Sequence, residues 1–177
     1  MEENQQKREI DNLKNEIKHL NAIISYLFCD YYGVLNEMIN KDTKNIDFNS
    51  KMIRAGLLDM LHSYPKLKKI SLSNHCENED FEDCRSETLT EIEFFNCYDI
   101  TSFKMLLNFP NLENIIISDS FGLLPDYSTL FQLNKLDKLK EISYYRCNDE
   151  DRYKLDFLRN YCNERGIVFN ESYVEDS

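Results

Sequence analysis

The spacing apolar-x-x-apolar-x-apolar stands at Leu89, Ile92 and Phe94 and restarts at Leu112, Ile115 and Ile117. In extended backbone, successive side chains point to opposite faces, so Ile92 and Phe94 enter one face while Glu93 and Phe95 leave by the other. Half of each strand therefore feeds a core, and the other half meets solvent or a partner. The stretch YPKLKKISLS at Tyr64 aligns with FPNLENIIIS at Phe109, position by position, as aromatic-Pro-x-Leu-x-x-Ile-x-apolar-Ser. Proline suits that junction because it cannot continue a helix and leaves the chain ready to extend.

Taking Leu67, Leu89, Leu112 and Leu139 as the first apolar positions gives steps of 22, 23 and 27 residues. This is the signature of leucine-rich repeats, whose units run about 20 to 29 residues. The expected inward pairs are Ile70 and Leu72, Ile92 and Phe94, Ile115 and Ile117, and Ile142 and Tyr144. A weaker first strand is expected at Ile46 and Phe48, and a last one at Ile167 and Phe169. Between the strands, a helix is expected over Met52 to His62, with further connectors at Thr101 to Phe109, Tyr127 to Leu136 and Glu150 to Asn163.

Within this array, Leu89 to Pro110 resembles the cysteine-containing subtype of leucine-rich repeats found in F-box and related adaptor proteins. The residues that carry the resemblance are Leu89, Ile92, Phe94, Cys97, Ile100, Thr101, Leu106 or Leu107, and Pro110. Ser102 replaces the usual Asp, Cys147 is kept in the Leu139 unit, and Ser120 stands at the cysteine position of the Leu112 unit. The resemblance covers residues 43–172. It implies an α/β leucine-rich-repeat solenoid, with short parallel strands on the concave face and helices on the convex face. It also implies that Cys97 and Cys147 are small buried hydrophobes. Residues Met1 to Ile39 contain no proline, so the Leu-Pro-led F-box module is missing and ubiquitin-ligase function is not carried over.

Residues 1–42 form a separate amino-terminal segment. Glu3 to Phe28 reads as one helix, because Ile10, Leu13, Ile17, Leu20, Ile24 and Leu27 recur at alternating spacings of three and four. This heptad stripe is open to two readings, a cap over the first repeat or a short coiled coil made with itself or with another chain. Tyr31 to Asn40 is expected to add a second short helix, Asn40 to Asn45 an exit loop, and residues 173–177 a disordered tail.

The 32 acidic residues outnumber 21 basic ones, for a formal charge of −11, which repels phosphate backbones and argues against direct nucleic-acid binding. No apolar run approaches the ~18 residues of a membrane span. The acidic start MEENQQKREID is unlike a secretory signal or a transit peptide, so the expected address is cytoplasmic, with the nucleus as alternative. The six cysteines are widely and irregularly spaced, which favours reduced thiols over a disulfide framework.

No catalytic signature is present: there is no Gly-rich phosphate loop, no G-x-S-x-G and no H-E-x-x-H. His75, Cys76, Cys84 and Cys97 are spaced too widely for a standard zinc site. The chain is therefore expected to be non-enzymatic, without metal or cofactor. What remains is the outward face of the strands. Its central positions are expected to be Asp47, Ser71, Glu93, Ile116, Ser143 and Val168, followed by Asn49, Ser73, Phe95, Ser118, Tyr145 and Asn170. Phe95, Ile116, Tyr145 and Val168 then cluster, with Ile116 between the two aromatic residues. Glu91, Glu93 and Asp119 stand around the patch, which favours an apolar partner segment with a basic flank. Lys68 and Lys69, one repeat away, are placed to take an acid. The leading expectation is a protein-binding adaptor or scaffold. The alternatives are a subunit of an RNA-protein assembly that binds a protein, and a substrate receptor of a ubiquitin ligase.

Overall fold

The computed structural model describes residues 10, 12–20, 42–54, 57–74, 76–100, 102–120, 127–147 and 152–173. Six strands, β1 (Asn45–Asn49), β2 (Lys69–Ser73), β3 (Glu91–Phe95), β4 (Asn114–Ser118), β5 (Glu141–Cys147) and β6 (Val168–Tyr173), form one sheet in chain order. Every neighbouring pair is parallel, so each connection crosses from the end of one strand to the start of the next. The fold is α/β.

The inward rows are those the apolar spacing predicts. Ile46, Ile70, Ile92, Ile115, Ile142 and Phe169 stand in one row, and Phe48, Leu72, Phe94, Ile117 and Tyr144 in the next. Nearly all are fully buried, and they join Leu67, Leu89, Leu112 and Leu139 in one continuous core. The first strand, weak in sequence, is a full member of the sheet, because Ile46 and Phe48 supply both of its inward positions.

The chain enters successive strands by the same turn. Leu67 donates its N–H to the Tyr64 carbonyl, Leu112 to Phe109, and Leu139 to Leu136, each at 3.0 to 3.2 Å. Tyr64, Phe109 and Leu136 are buried, so the aromatic-Pro junction read from the sequence anchors a turn rather than merely ending a helix. One residue later, the Thr90 N–H donates to the Lys68 carbonyl, Glu113 to Thr90, Lys140 to Glu113 and Val168 to Lys140, all at 2.8 Å. These bonds satisfy backbone groups at the strand entries and set the register.

Two of the expected connectors are tighter than an α-helix. The helix expected over Met52 to His62 is divided into an α-helix, Ser50–Arg54, and a 3-10 helix, Leu57–Ser63. Asn49 caps the first, accepting the Met52 N–H at 3.1 Å. The connector at Thr101 to Phe109 is a 3-10 helix, Lys104–Asn108, and Asn78–Phe81 forms another in the acidic loop after β2. A 3-10 turn rises about 2.0 Å per residue against 1.5 Å for an α-helix, so a short crossover covers more distance with it. The Tyr127–Leu133 and Arg152–Arg165 connectors are α-helical. The last ends at Gly166, whose φ of +69° is the left-handed conformation of a helix C-terminus. There the Ile167 N–H reaches the Cys162 carbonyl at 2.8 Å.

Two expectations need correction here. In β6, Phe169 pairs with Ile142 and Glu171 with Tyr144, so these are the inward strand positions; Ile167 is buried in the core as expected but lies just before the strand. The slip of two residues keeps the face but moves Val168 beside Glu141 and Asn170 beside Ser143. Tyr173, expected in the disordered tail, is the last residue of β6. Residues 174–177 lie outside the described residues, as do the expected second helix at Tyr31 to Asn40 and the outer parts of the amino-terminal helix.

Residues 10 and 12–20 are helical. Their apolar stripe does not cover the sheet: Ile10, Leu13, Ile17 and Leu20 are 52 to 57% exposed. The helix meets the body through Lys18, whose Nζ lies 3.0 Å from an Asp59 carboxylate oxygen. Among the described residues, no helix is long and apolar enough to cross a membrane.

Candidate protein-binding face

The outward side chains of a parallel sheet are ordinarily covered by helices and apolar. Here they are mixed and partly wet. Along the entry side run Asn45, Lys69, Glu91, Asn114, Glu141 and Val168; along the middle run Asp47, Ser71, Glu93, Ile116, Ser143 and Asn170; along the exit side run Asn49, Ser73, Phe95, Ser118 and Tyr145.

Phe95 and Tyr145 share the exit row, 46% and 39% exposed. Ser118, not Ile116, is the residue between them; Ile116 stands one row toward the strand entries, partly buried, pairing with Glu93 on one side and Ser143 on the other. With strands about 4.8 Å apart, the two aromatic backbones are separated by about 10 Å. The small Ser118 and the aliphatic Ile116 thus floor a notch walled by two aromatic side chains. Val168, 54% exposed, is wetter than Phe95 or Tyr145 but lies two rows away, beside Glu141, so it is not part of the notch. The two-residue slip in β6 removes it from the expected cluster.

The entry side is a polar network. Lys69 Nζ lies 2.9 Å from carboxylate oxygens of both Glu91 and Glu93. Ser71 donates to Glu93 at 3.0 Å, and the Asn114 side-chain amide reaches Glu91 at 3.4 Å. Burial opposes the charge of Glu93, but the bonds from Lys69 and Ser71 outweigh it and hold the carboxyl below its ordinary range. Burial likewise opposes the charge of Lys69, and the bonds to Glu93 and Glu91 overcome it and raise its pKa. Lys69 is thus engaged by this chain's own acids. The parallel register is the reason, since it puts Lys69 directly beside Glu91.

Farther along, Ser143 donates to Glu141 at 2.9 Å, and the Asn170 amide reaches Glu141 at 2.8 Å and Ser143 at 3.2 Å. Ser143 is fully buried, although it stands on the outward row. Counting outward strand positions, Asp47, Glu91, Glu93 and Glu141 face one cation, Lys69, so the face is anionic.

Asp119 stands at the exit of β4 with φ +49°, matching Asn74 (φ +60°) and Asn96 (φ +57°) at the exits of β2 and β3. Their N–H groups donate to the next strand: Asn74 to Phe95, Asn96 to Ser118, and Asp119 to Tyr145, at 3.0 to 3.2 Å. The Asn96 amide also donates to the Asn74 side-chain oxygen at 2.6 Å. Asn and Asp tolerate the left-handed conformation better than other non-glycine residues. Asp119 is therefore a residue of the strand exit beside Tyr145. The sequence carried this signal, since each of the three stands two residues after the last inward residue, Leu72, Phe94 or Ile117.

Two buried thiols, Cys76 and Cys97, follow the exits of β2 and β3. Cys76, Cys84, Cys97 and Cys162 are buried and free. The Cys97 N–H donates to Ser120 Oγ at 2.9 Å, so the serine standing at the cysteine position of the next unit ties the two together. The hydrogen bond between Cys76 and Cys97, followed by burial, pushes the Cys76 thiol up. His75 and the Cys147 side chain lie outside the described residues. Among the described residues, no group of three or more His, Cys, Asp or Glu can hold a metal ion.

A second apolar exposure was not anticipated. Phe131 (68% exposed) and Phe157 (48%) lie on the Tyr127–Leu133 and Arg152–Arg165 helices and line a shared groove with Leu130 and Tyr161. Compared with models of known families, with curated proteins and with solved structures, the chain matches none.

Proposed function

We propose that this chain is a short solenoid of the leucine-rich-repeat type and works as a non-enzymatic adaptor, gripping another protein with the outward face of its strands. The reading is supported by the parallel strands in strict chain order and by the half-polar face that such a sheet leaves open. The observation that carries the binding surface is the Phe95–Tyr145 notch. Exposed apolar groups with a polar rim mark interaction sites, and aromatic side chains at the centre of an interface commonly contribute ~2 kcal/mol or more each. The notch takes an apolar side chain of the partner, and the carboxylates of Glu91, Glu93 and Glu141 favour basic residues flanking it.

The test is quantitative co-purification from the native cell, followed by affinity titration with the partner recovered. Phe95→Ala and Tyr145→Ala each weaken binding at least about tenfold, equal to ~1.4 kcal/mol, and leave the melting temperature nearly unchanged. Lys104→Ala and Phe131→Ala, on the connectors, leave affinity unchanged. Equal affinities for all four variants, or a loss confined to Phe131→Ala, would move the binding surface off the strands.

A further inference from the structure

The amino-terminal helix presents an apolar stripe that the body of the protein does not use. Ile10, Leu13, Ile17 and Leu20 are each more than half exposed, although their spacing is that of a buried seam. With Ile10 and Ile17 at position a of a heptad, Leu13 and Leu20 fall at d. Lys18 and His19 then take b and c, on the back of the helix. The ion pair from Lys18 to Asp59 holds the end of the helix to the body, where Glu16 and Leu20 border a cleft with Met60 and His62, while Ile10, Leu13 and Ile17 face out.

We propose that this seam is covered by the same seam of a second copy of the chain, as a parallel, in-register coiled-coil dimer. Three features select that occupant. First, isoleucine at a with leucine at d favours two parallel strands over higher assemblies. The sequence continues the choice at Ile24 and Leu27, which lie outside the described residues. Second, the flanking positions carry opposite charges: Glu16 falls at g and Lys14 at e, and the same heptad count in the sequence assigns Glu9 to g and Lys7 to e, both outside the described residues. In a parallel pair, g of one helix meets e of the next heptad on the other, which sets Glu9 against Lys14. An antiparallel pair sets glutamate against glutamate and lysine against lysine. Third, the chain's negative charge does not oppose the contact. Residues 1–27 hold five acidic and four basic residues, whereas the whole chain carries −11. This dimer goes beyond the proposed adaptor function and uses a different surface, so two copies of the strand face are carried on one assembly.

Sedimentation equilibrium of the full chain, in reducing buffer from micromolar to submillimolar concentration, tests it. The expected result is a monomer–dimer equilibrium. Ile17→Asp shifts it to monomer, with the thermal melt of the body unchanged. Should Ile17→Asp disturb that melt, Lys14→Glu is the milder variant, and it weakens the dimer several-fold by placing two glutamates together. For orientation, a Leu13→Cys chain oxidised in air cross-links to a covalent dimer, while the parent chain treated alike does not. A wild-type monomer at every concentration overturns the proposal, as does a dimer that Ile17→Asp and Lys14→Glu leave intact. A dimer without the Leu13→Cys cross-link overturns the parallel arrangement. A one-to-one complex with a foreign helix, formed by a chain that stays monomeric alone, replaces the second copy as occupant.

Discussion

Arg159 Nη2 grips both carboxylate oxygens of Glu171, at 2.7 and 2.8 Å, across the final edge of the sheet. Glu171 occupies an inward position of β6, where the other strands place Phe48, Leu72, Phe94, Ile117 and Tyr144. A carboxylate is tolerated there because the arginine and the Tyr173 hydroxyl, which donates at 2.9 Å, meet its charge. The bond to Glu171, reinforced by one to Asp156, raises the Arg159 pKa.

The pair is partly exposed, with side chains 32% and 24% accessible, so its worth is on the order of 1 kcal/mol. Arg159→Ala is expected to cost about that in urea unfolding and to speed amide hydrogen exchange in β6 while leaving β2 to β4 protected. Uniform acceleration across the sheet would show that the pair supports the whole fold rather than its last strand.

At the strand exits, the prediction concerns Asn96, held at φ +57° and bonded through its amide to Asn74. Asn96→Ala loses that bond and places a methyl-bearing residue in a conformation that costs about 1 kcal/mol or more. Asn96→Gly loses the bond but not the backbone freedom. Alanine should therefore destabilise more than glycine in chemical unfolding, by about 1 kcal/mol. An alanine variant as stable as the glycine variant would show that the left-handed turn has relaxed.

The strands and most of the core were legible in the sequence because a period of two, with apolar residues at every second position, reports side-chain direction directly. The same reasoning failed in β6, where Ile167-x-Phe169 and Phe169-x-Glu171 both fit the face. Only the arginine twelve residues earlier makes the charged alternative stable, and periodicity does not report that contact. The aromatic residues Phe95 and Tyr145 were placed on their row, but Ser118 between them emerged only from the register. The fate of Lys69 was equally hidden, since its partner Glu91 lies twenty-two residues away in sequence and directly alongside in the sheet. The amphipathic helix was legible; the direction of its stripe was not, because a cap and a coiled coil require the same pattern.

The buried thiols yield a chemical prediction. Burial pushes Cys162 up to about 12 and also raises Cys84, while Cys76 is raised by its bond to Cys97 and by burial. Thiolate is the reactive form, so these three should resist a thiol reagent in the native state. Cys97 is shifted the other way, lowered by its bond with Cys76, and its protection rests on full burial; all four should react on unfolding. Peptide mapping after labelling separates them from Cys29 and Cys147. Cys97→Ala should cost about 1 kcal/mol or more through lost packing. Rapid native labelling at Cys97 would contradict its place behind the exit of β3.

The last prediction is the pH dependence of the Lys69–Glu93 contact. The Glu93 carboxyl titrates lower in the folded chain than the ordinary ~4.3 of an unfolded glutamate. Its stabilisation is therefore fully present above the unfolded value and is lost as pH falls through the folded one. Lys69, raised in the folded chain, contributes below the ordinary lysine value of ~10.4 and loses its contribution as pH rises beyond its folded value. Between these limits the contact is worth about 0.5 to 1 kcal/mol, given side chains 29% and 32% exposed. Glu93→Gln should lower stability by that amount at neutral pH and converge with the parent protein under acid, where Glu93 is protonated in both the folded and the unfolded chain. Because Glu91 still holds Lys69, the loss should fall short of that in a Lys69→Met chain. A Glu93→Gln deficit that stays constant down through the acid range would mean that the side chain stabilises by packing and not by its charge.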